Sequence, residues 1–205
     1  MNSSASRKIR RAKPEEYDQL AAVYARAFKN DPVIDWFIRD DEKRDQGVLS
    51  FFENLLRFFA QPHGMVFTDS SLQSVSLWQP PGSGYLSFPQ MLKAIPRVIN
   101  AAGHENIISK FKGFDVIESQ RPKDSNFYLE TMGVDPDAQG QGLGALHLNH
   151  MLGVCDQMEV AVHLETGVEK NVGLYQKYGF RVMEEKRIVP EGPYLWFMWR
   201  EPQTS

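Results

Sequence analysis

A chain of 205 residues with 42% hydrophobic and 24% charged side chains fits one globular domain with a full core. Its net charge of -3 gives no electrostatic ground for a DNA or RNA partner, and Arg7, Lys8, Arg10 and Arg11 read as a solvated face. The single cysteine, Cys155, excludes an intrachain disulfide and suits a reducing compartment, so a cytoplasmic protein is expected. Residues 1–11 hold no apolar core segment and no apolar run reaches membrane-spanning length, so neither a signal peptide nor a membrane partner is expected.

In chain order, residues 1–6 are small and polar and read as a disordered terminus. Arg7 to Ala12 reads as a first strand, and Pro14-Glu15-Glu16 opens a helix whose face carries Tyr17, Leu20, Tyr24, Ala27 and Phe28. Asn30-Asp31-Pro32 stops it. A short aromatic stretch, Val33 to Phe37, precedes a charged turn and a second amphipathic helix over 46–60, with Val48, Phe52, Leu55 and Phe59 on one stripe and Phe51 and Phe58 widening it. Gln61 to Gly64 breaks that helix. Met65 to Thr68 and Ser74 to Trp78 pair as a hairpin around Asp69-Ser70-Ser71. A Pro-Gly linker leads to a helical insert at about 85–122. One helix carries Phe88, Met91, Leu92 and Ile95, with Pro96 expected to kink or end it; the other carries Ile107, Phe111 and Phe114.

The segment Tyr128 to Gly144, YLETMGVDPDAQGQGLG, changes character twice: an alternating strand, an Asp-Pro corner, then glycines leading into a helix over 143–158. Glycines at a helix start expose backbone N–H groups at its positive end, which is where a phosphate binds, so this loop reads as the seat of a cofactor's pyrophosphate. A strand at 160–164, a helix at 169–178 stopped by Gly179, and strands at 180–183 and 194–200 complete a mixed sheet flanked by helices.

Gly140-x-Gly142-x-x-Ala145 satisfies a dinucleotide fingerprint taken alone, with Glu165 near the place of a ribose-binding acid. Too little chain follows Gly144 for two βαβαβ halves, and five residues separate Val134 from Gly140. A P-loop lacks its Lys-Ser or Lys-Thr. Gln139-x-x-Gly142-x-Gly144 resembles the acyl-CoA loop of the GNAT superfamily of N-acyltransferases, and Asn171 to Phe180, NVGLYQKYGF, resembles that superfamily's Asn…Tyr…Gly-Phe block. LETMGVDPDAQGQGLG, HLETGVEKNVGLYQKYGF and VPEGPYLWFMWREP further resemble puromycin N-acetyltransferase-like proteins, with looser likeness at Ala27-Phe28…Asp31-Pro32 and Leu77 to Pro81.

The resemblance implies an α/β GNAT fold in one domain, 7–202, whose mostly antiparallel sheet splays at a cofactor-binding core over 126–182. It implies a monomer or homodimer that transfers an acetyl group from acetyl-CoA to a primary amine of a small molecule by direct attack. Met132, Gly133 and Val134 would face the thioester and the pantetheine arm, and Gln139, Gly140, Gln141, Gly142, Leu143 and Gly144 would hold the pyrophosphate. Asn171 would bond the arm from the other side. Tyr175 matches the general acid, a phenol protonated at neutral pH. Glu130, sharing a face with Met132 on simple alternation, is a candidate base, and Glu165 a second. Phe28, Trp36, Trp78 and Glu165 are candidate walls of the acceptor pocket. His147, His150 and His163 lack the companions of a metal site, so no metal is expected, and Cys155, on an apolar helix stripe, is not expected to carry an acyl group. A CoA-binding sensor without turnover and a nicotinamide-dependent oxidoreductase are the alternatives.

Overall fold

The computed structural model describes residues 7–59, 64–83 and 88–203. The terminus expected to be disordered, the helix break at Gln61 to His63, and the side chains of Phe58, Phe59, Phe88, Met91 and Leu92 lie outside the described residues. Among the described residues seven strands form one sheet: β1 (Ile9–Arg11), β2 (Met65–Asp69), β3 (Ser74–Gln79), β4 (Asn126–Val134), β5 (Ala161–Thr166), β6 (Arg181–Arg187) and β7 (Tyr194–Arg200). Their order across the sheet is β1-β2-β3-β4-β5-β7-β6. Among the described residues only β4 and β5 run parallel, and every other pair is antiparallel. A parallel pair needs a crossover, and the long helix between these two strands supplies it. A single such unit is not the doubly wound sheet of a dinucleotide-binding domain.

Helices cover both faces. On one lie α1 (Tyr17–Ala27), α2 (Pro32–Phe37), α3 (Arg44–Asn54) with a π-helical turn at Leu55–Phe59, and the insert helices α4 (Phe88–Ala102) and α5 (Ile107–Ser119). Leu20, Tyr24, Phe37, Phe52 and Leu56 bury there against Val66, Val75 and Leu77. On the other lies α6 (Leu143–Gln157), whose Leu148, Met151, Leu152 and Cys155 pack on Phe67, Trp78, Phe127, Leu129 and Val162. The short helix α7 (Glu169–Gln176) contributes Tyr175 to this second core, and Gly179 ends its turn at φ +87°.

Local chemistry sets the ends of these elements. Asp31 both closes the turn after α1 and caps α2, its Oδ1 accepting from Val33 N at 2.9 Å and Ile34 N at 3.2 Å, with Pro32 in the first turn. The stretch Val33 to Phe37 is therefore helical. Pro96 does not end α4, which runs on to Ala102, because Ala101 and Ala102 are fully buried where α4 meets α3 at Gly47.

A buried polar chain fastens α6 to the β2–β3 hairpin. Ser74 Oγ donates to Asp69 Oδ1 at 2.8 Å, and Trp78 Nε1 donates to Ser76 Oγ at 3.1 Å. Between them sits His147, with Nδ1 2.8 Å from Ser76 Oγ and Nε2 2.9 Å from Ser74 Oγ. Ser74 gives its one proton to Asp69, so Nε2–H of His147 donates to Ser74, and a ring kept neutral by burial accepts at Nδ1 from Ser76. His147 is thus neutral in one tautomer, and burial pushes its pKa down to about 4. Burial alone would raise the Asp69 carboxyl, but the Ser74 hydroxyl and the amides of Ser71, Gln73 and Ser74 outweigh it and hold it below its ordinary value.

Candidate active site

β4 and β5 pair only at Asn126–Ala161, Phe127–Val162 and Tyr128–His163, and then part. Beyond Tyr128 the β4 edge facing β5 has no strand partner among the described residues, so its backbone groups are available to an extended ligand. A cavity of about 170 Å³ opens at the parting. Leu129, Met132 and Tyr175, which belong to the α6-side core, line it. So do Phe28, Ile34, Phe51, Phe52 and Leu55, from the core on the opposite face. One cavity therefore joins the two faces through the sheet.

β4 carries a bulge that re-aims its side chains. Leu77 pairs with Thr131 and Trp78 with Leu129, leaving Glu130 without a partner across the ladder. Alternation is reset there: Phe127 and Leu129 face α6 and so does Met132, three residues after Leu129. Glu130 does not share a face with Met132, as simple alternation expects. Its carboxylate lies on the α1 side, accepting a short hydrogen bond from Gln79 Nε2. Tyr24 Oη donates to the Thr131 carbonyl at 3.2 Å and ties α1 to the strand just past the bulge.

Three carboxylates line the cavity: Asp31, Glu130 and Glu165. Burial raises the pKa of each, that of Glu165 to about 7. Glu165 Oε1 accepts from Tyr128 Oη at 2.5 Å, and its Oε2 is buried with no partner among the described residues. Thr131 Oγ1 is likewise buried and unpartnered there. The Arg121 guanidinium lies 4.0 Å from the centre of the Tyr128 ring and pairs with Glu118 at 2.9 Å. Across the gap the Tyr175 phenol is pushed well above its ordinary value by burial, then by Glu165 and Asp31, so it stays protonated. Asn171 lines the same cavity, with Nδ2 3.5 Å from Thr166 Oγ1.

The glycine loop sits at the α6 end of the gap. Gly140 and Gly142 have φ of +75° and +79°, a left-handed conformation that only glycine enters without strain, and Gly142 is the N-cap of α6. Successive N–H groups in such a turn, followed by the unsatisfied first turn of a 15-residue helix, make an anion cradle. Asp135 braces the corner by accepting from Asp137 N at 3.2 Å and pairing with Arg26 of α1. Gln139 Nε2 returns to the Val134 carbonyl at 3.2 Å and Gln141 Nε2 to Asp137 O at 3.3 Å, so both side chains shape the loop. Leu143 is buried under it, while Gly144 lies near Met132. Gly133 faces Tyr24 and Phe28, where any Cβ would collide.

Two expected acceptor walls lie elsewhere. Trp78 is fully buried in the α6-side core, because its indole N–H needs Ser76. Trp36 packs against Gly113 of α5, bridging the insert to α2. Phe28 and Glu165 do line the cavity. Asp31, Tyr128 and Arg121 were not singled out from sequence; Tyr128 could have been, since it lies two residues before Glu130 on an alternating strand. Among the described residues no group of three His, Cys, Asp or Glu could hold a metal ion. Cys155 is buried, and burial pushes its thiol up to about 12, which leaves it unreactive.

A mostly antiparallel sheet that parts beside one βαβ crossover, with a glycine cradle at the crossover helix and a cavity through the gap, offers an extended, phosphate-bearing ligand a seat between the two faces. Residues 100–182 match the family model described as an acetyltransferase (GNAT) domain. An uncharacterized N-acetyltransferase of Schizosaccharomyces pombe is 22% identical over 96% of this chain and 84% of its own length. An acetyltransferase structure from Corynebacterium glutamicum, described as histone acetyltransferase HPA2 and related acetyltransferase, superposes with a TM-score of 0.75 at 22% identity, covering 98% of each chain. A polyamine N-acetyltransferase of Drosophila melanogaster superposes at 0.63 with 12% identity, over 96% of this chain and 100% of its own. The matched segment thus resembles a GNAT acetyltransferase domain, a family that uses acetyl-CoA, and the fold of nearly the whole chain resembles that of the Corynebacterium structure.

Proposed function

We propose that this protein transfers acetyl from acetyl-CoA to the primary amine of a small molecule, by direct attack in a ternary complex. The observation that carries this reading is the single cavity lined from both faces of the sheet. The α6 side offers what a thioester needs: the free β4 edge, Met132, Asn171 and the glycine cradle, with Tyr175 at the gap. The opposite side offers what an amine needs: the carboxylates Asp31, Glu130 and Glu165 beside the aromatic walls Phe28, Phe51 and Phe52. Carboxylates flanked by ring faces attract an ammonium and its hydrocarbon body. Substrates that meet head-on need no covalent relay, and the inert Cys155 supplies none.

Tyr175 is the proton donor to the departing sulfur; a phenol held well above neutrality delivers its proton only as the thiolate forms. Phe51 and Phe52 of α3 and Ile117 of the insert line the cavity, and its volume of about 170 Å³ fits a compact acceptor better than a polypeptide chain. The polyamine acetyltransferase among the structural relatives is consistent with an ammonium-bearing small molecule.

Thiol release from acetyl-CoA, measured against alkyl-, aryl- and polyamines, tests this reading. Initial-velocity lines that intersect on double-reciprocal plots with the best amine support a ternary complex. Parallel lines, or cofactor binding without release of thiol by any amine, would refute it.

A further inference from the structure

A second cavity, of about 580 Å³, lies where the end of β3, the start of β4 and the middle of β5 meet the residues that follow α5. Its volume is that of a small-molecule site. Phe127, Leu129, Val162 and Leu164 pack toward α6, so Tyr128 and His163 point to the opposite face, the one that carries Glu130. Tyr128 is the one described residue that lines both cavities, and Gln79 of the second donates to Glu130 of the first. Along β5, His163 in the second cavity stands two residues from Glu165 in the first, about 7 Å of strand.

The lining of this second space carries buried hydrogen-bonding groups that the fold leaves incomplete. His163 is 2% exposed, and neither of its ring nitrogens has a partner among the described residues. Tyr128 and Phe197 stack on the ring, with centroids 5.6 Å and 6.5 Å away, and fix its plane. Burial first, then the Arg121 guanidinium, push its pKa down to about 4, so the neutral ring presents one N–H donor and one bare nitrogen acceptor. Ser83 Oγ, in the linker after β3, lines the same cavity and is also buried without a partner among the described residues. Such groups are costly to bury unless something completes their hydrogen bonds. The charges around them balance: Arg121 and Lys123 stand against Glu118 and Asp124, and Arg121 pairs with Glu118 at 2.9 Å. A charged ligand group would gain no net attraction here and would lose its hydration. A neutral group that both donates and accepts would complete His163 and Ser83 without that loss.

We propose, on the reading of the protein as a small-molecule amine acetyltransferase, that the second cavity seats the far end of the acceptor. The acceptor is then bipartite: a primary amine in the first cavity and, past Tyr128, a neutral hydrogen-bonding tail of the carboxamide or hydroxyl kind on His163 and Ser83. These two residues determine specificity and take no part in the chemistry. The separation of Glu165 from His163 on β5, about 7 Å, sets the scale of the molecule, so a tail on the carbon next to the amine cannot reach both cavities.

Thiol release from acetyl-CoA tests this with n-alkylamines and the matching ω-aminoalkyl carboxamides and carboxylates over a range of chain lengths, and calorimetry with acetyl-CoA confirms that each variant folds and binds. Above a minimum length, wild type should prefer the carboxamide to the alkylamine by about tenfold in kcat/KM, carried by KM, and should show no such preference for the carboxylate. His163→Phe keeps a stacked ring without nitrogens and should bring that ratio down to about one. Ser83→Ala, in a linker outside the core clusters, should lower it part of the way. A purely structural histidine would lower turnover of every amine alike and leave the ratio unchanged. Equal kcat/KM for carboxamide and alkylamine at every length, or a ratio untouched by both variants, overturns the second subsite and leaves amine transfer standing. A preference for the carboxylate overturns the neutral tail. Absence of transfer to any amine by wild type overturns the underlying activity and this proposal with it.

Discussion

Replacing His147 with glutamine should flatten one defined part of the stability–pH curve. Glutamine offers one donor and one acceptor, so Ser74 and Ser76 can keep partners, but it cannot titrate. In the native protein His147 has no exposed surface and resists protonation down to about 4, whereas an imidazole in the unfolded chain titrates at about 6.5. Between those values the unfolded state binds more protons, so stability rises with pH and is lost as pH falls through the window. At about 1.4 kcal/mol per pH unit the loss from this residue reaches about 2–3 kcal/mol by roughly pH 4.5. Glu165 acts the other way: its raised pKa contributes stability that is present at low pH and disappears as pH rises through about 7. The wild-type curve therefore mixes opposing contributions, and His163, also pushed down to about 4, adds a second of the first kind. The difference between variant and wild type isolates His147. Urea unfolding followed by circular dichroism at several pH values measures it. Near pH 7.5 the variant should be less stable by about 1–3 kcal/mol, the range for disturbing a buried hydrogen-bonded group. Near pH 4.5 that gap should shrink by about 2–3 kcal/mol. Curves that stay parallel over the whole range, with equal m-values, would refute the neutral, buried tautomer and the polar chain built on it.

Three further substitutions probe the site and its supports. Tyr175→Phe should lower kcat by about 10²-fold or more and leave acetyl-CoA affinity nearly unchanged; unaltered turnover would remove the phenol from the chemistry. Gly142→Val places a β-branched residue at φ +79°, a strain of about 1–2 kcal/mol or a displaced loop, so acetyl-CoA should bind about tenfold more weakly; unchanged affinity would mean that this loop shape does not matter. Gly113→Val drives a side chain into the Trp36 ring and should cost about 1–3 kcal/mol in urea unfolding, with a shift in tryptophan fluorescence; neither change would contradict the packing of α5 on α2.

Much of this architecture was legible because it depends on periodicity and punctuation. The α6 stripe of Leu148, Met151, Leu152 and Cys155, the glycines before it and Gly179 after α7 occupy the roles their residue types suggest. The side-chain directions on β4 were not legible, since a bulge is a property of two strands, and nothing local to Glu130 announces that Leu77 and Trp78 will skip it. The tryptophans misled for a related reason. Large aromatic residues suit a pocket wall and a core equally, and Trp78 goes to the core because Ser76 waits there for its N–H. Asp31 was read as a helix stop, which it is, but its cap geometry also sets a carboxylate at the cavity. Tyr128 and Arg121 acquire meaning only from Glu165, some forty residues away in sequence and brought to them by the β4–β5 pairing.

The reading that two substrates meet through the parted strands stands or falls on the first of them. Isothermal titration of the purified protein with acetyl-CoA should give saturable heat with one site per chain, and titration with NAD should give none. No heat from acetyl-CoA, or binding of NAD in its place, would contradict the occupancy assigned to the cradle and the gap.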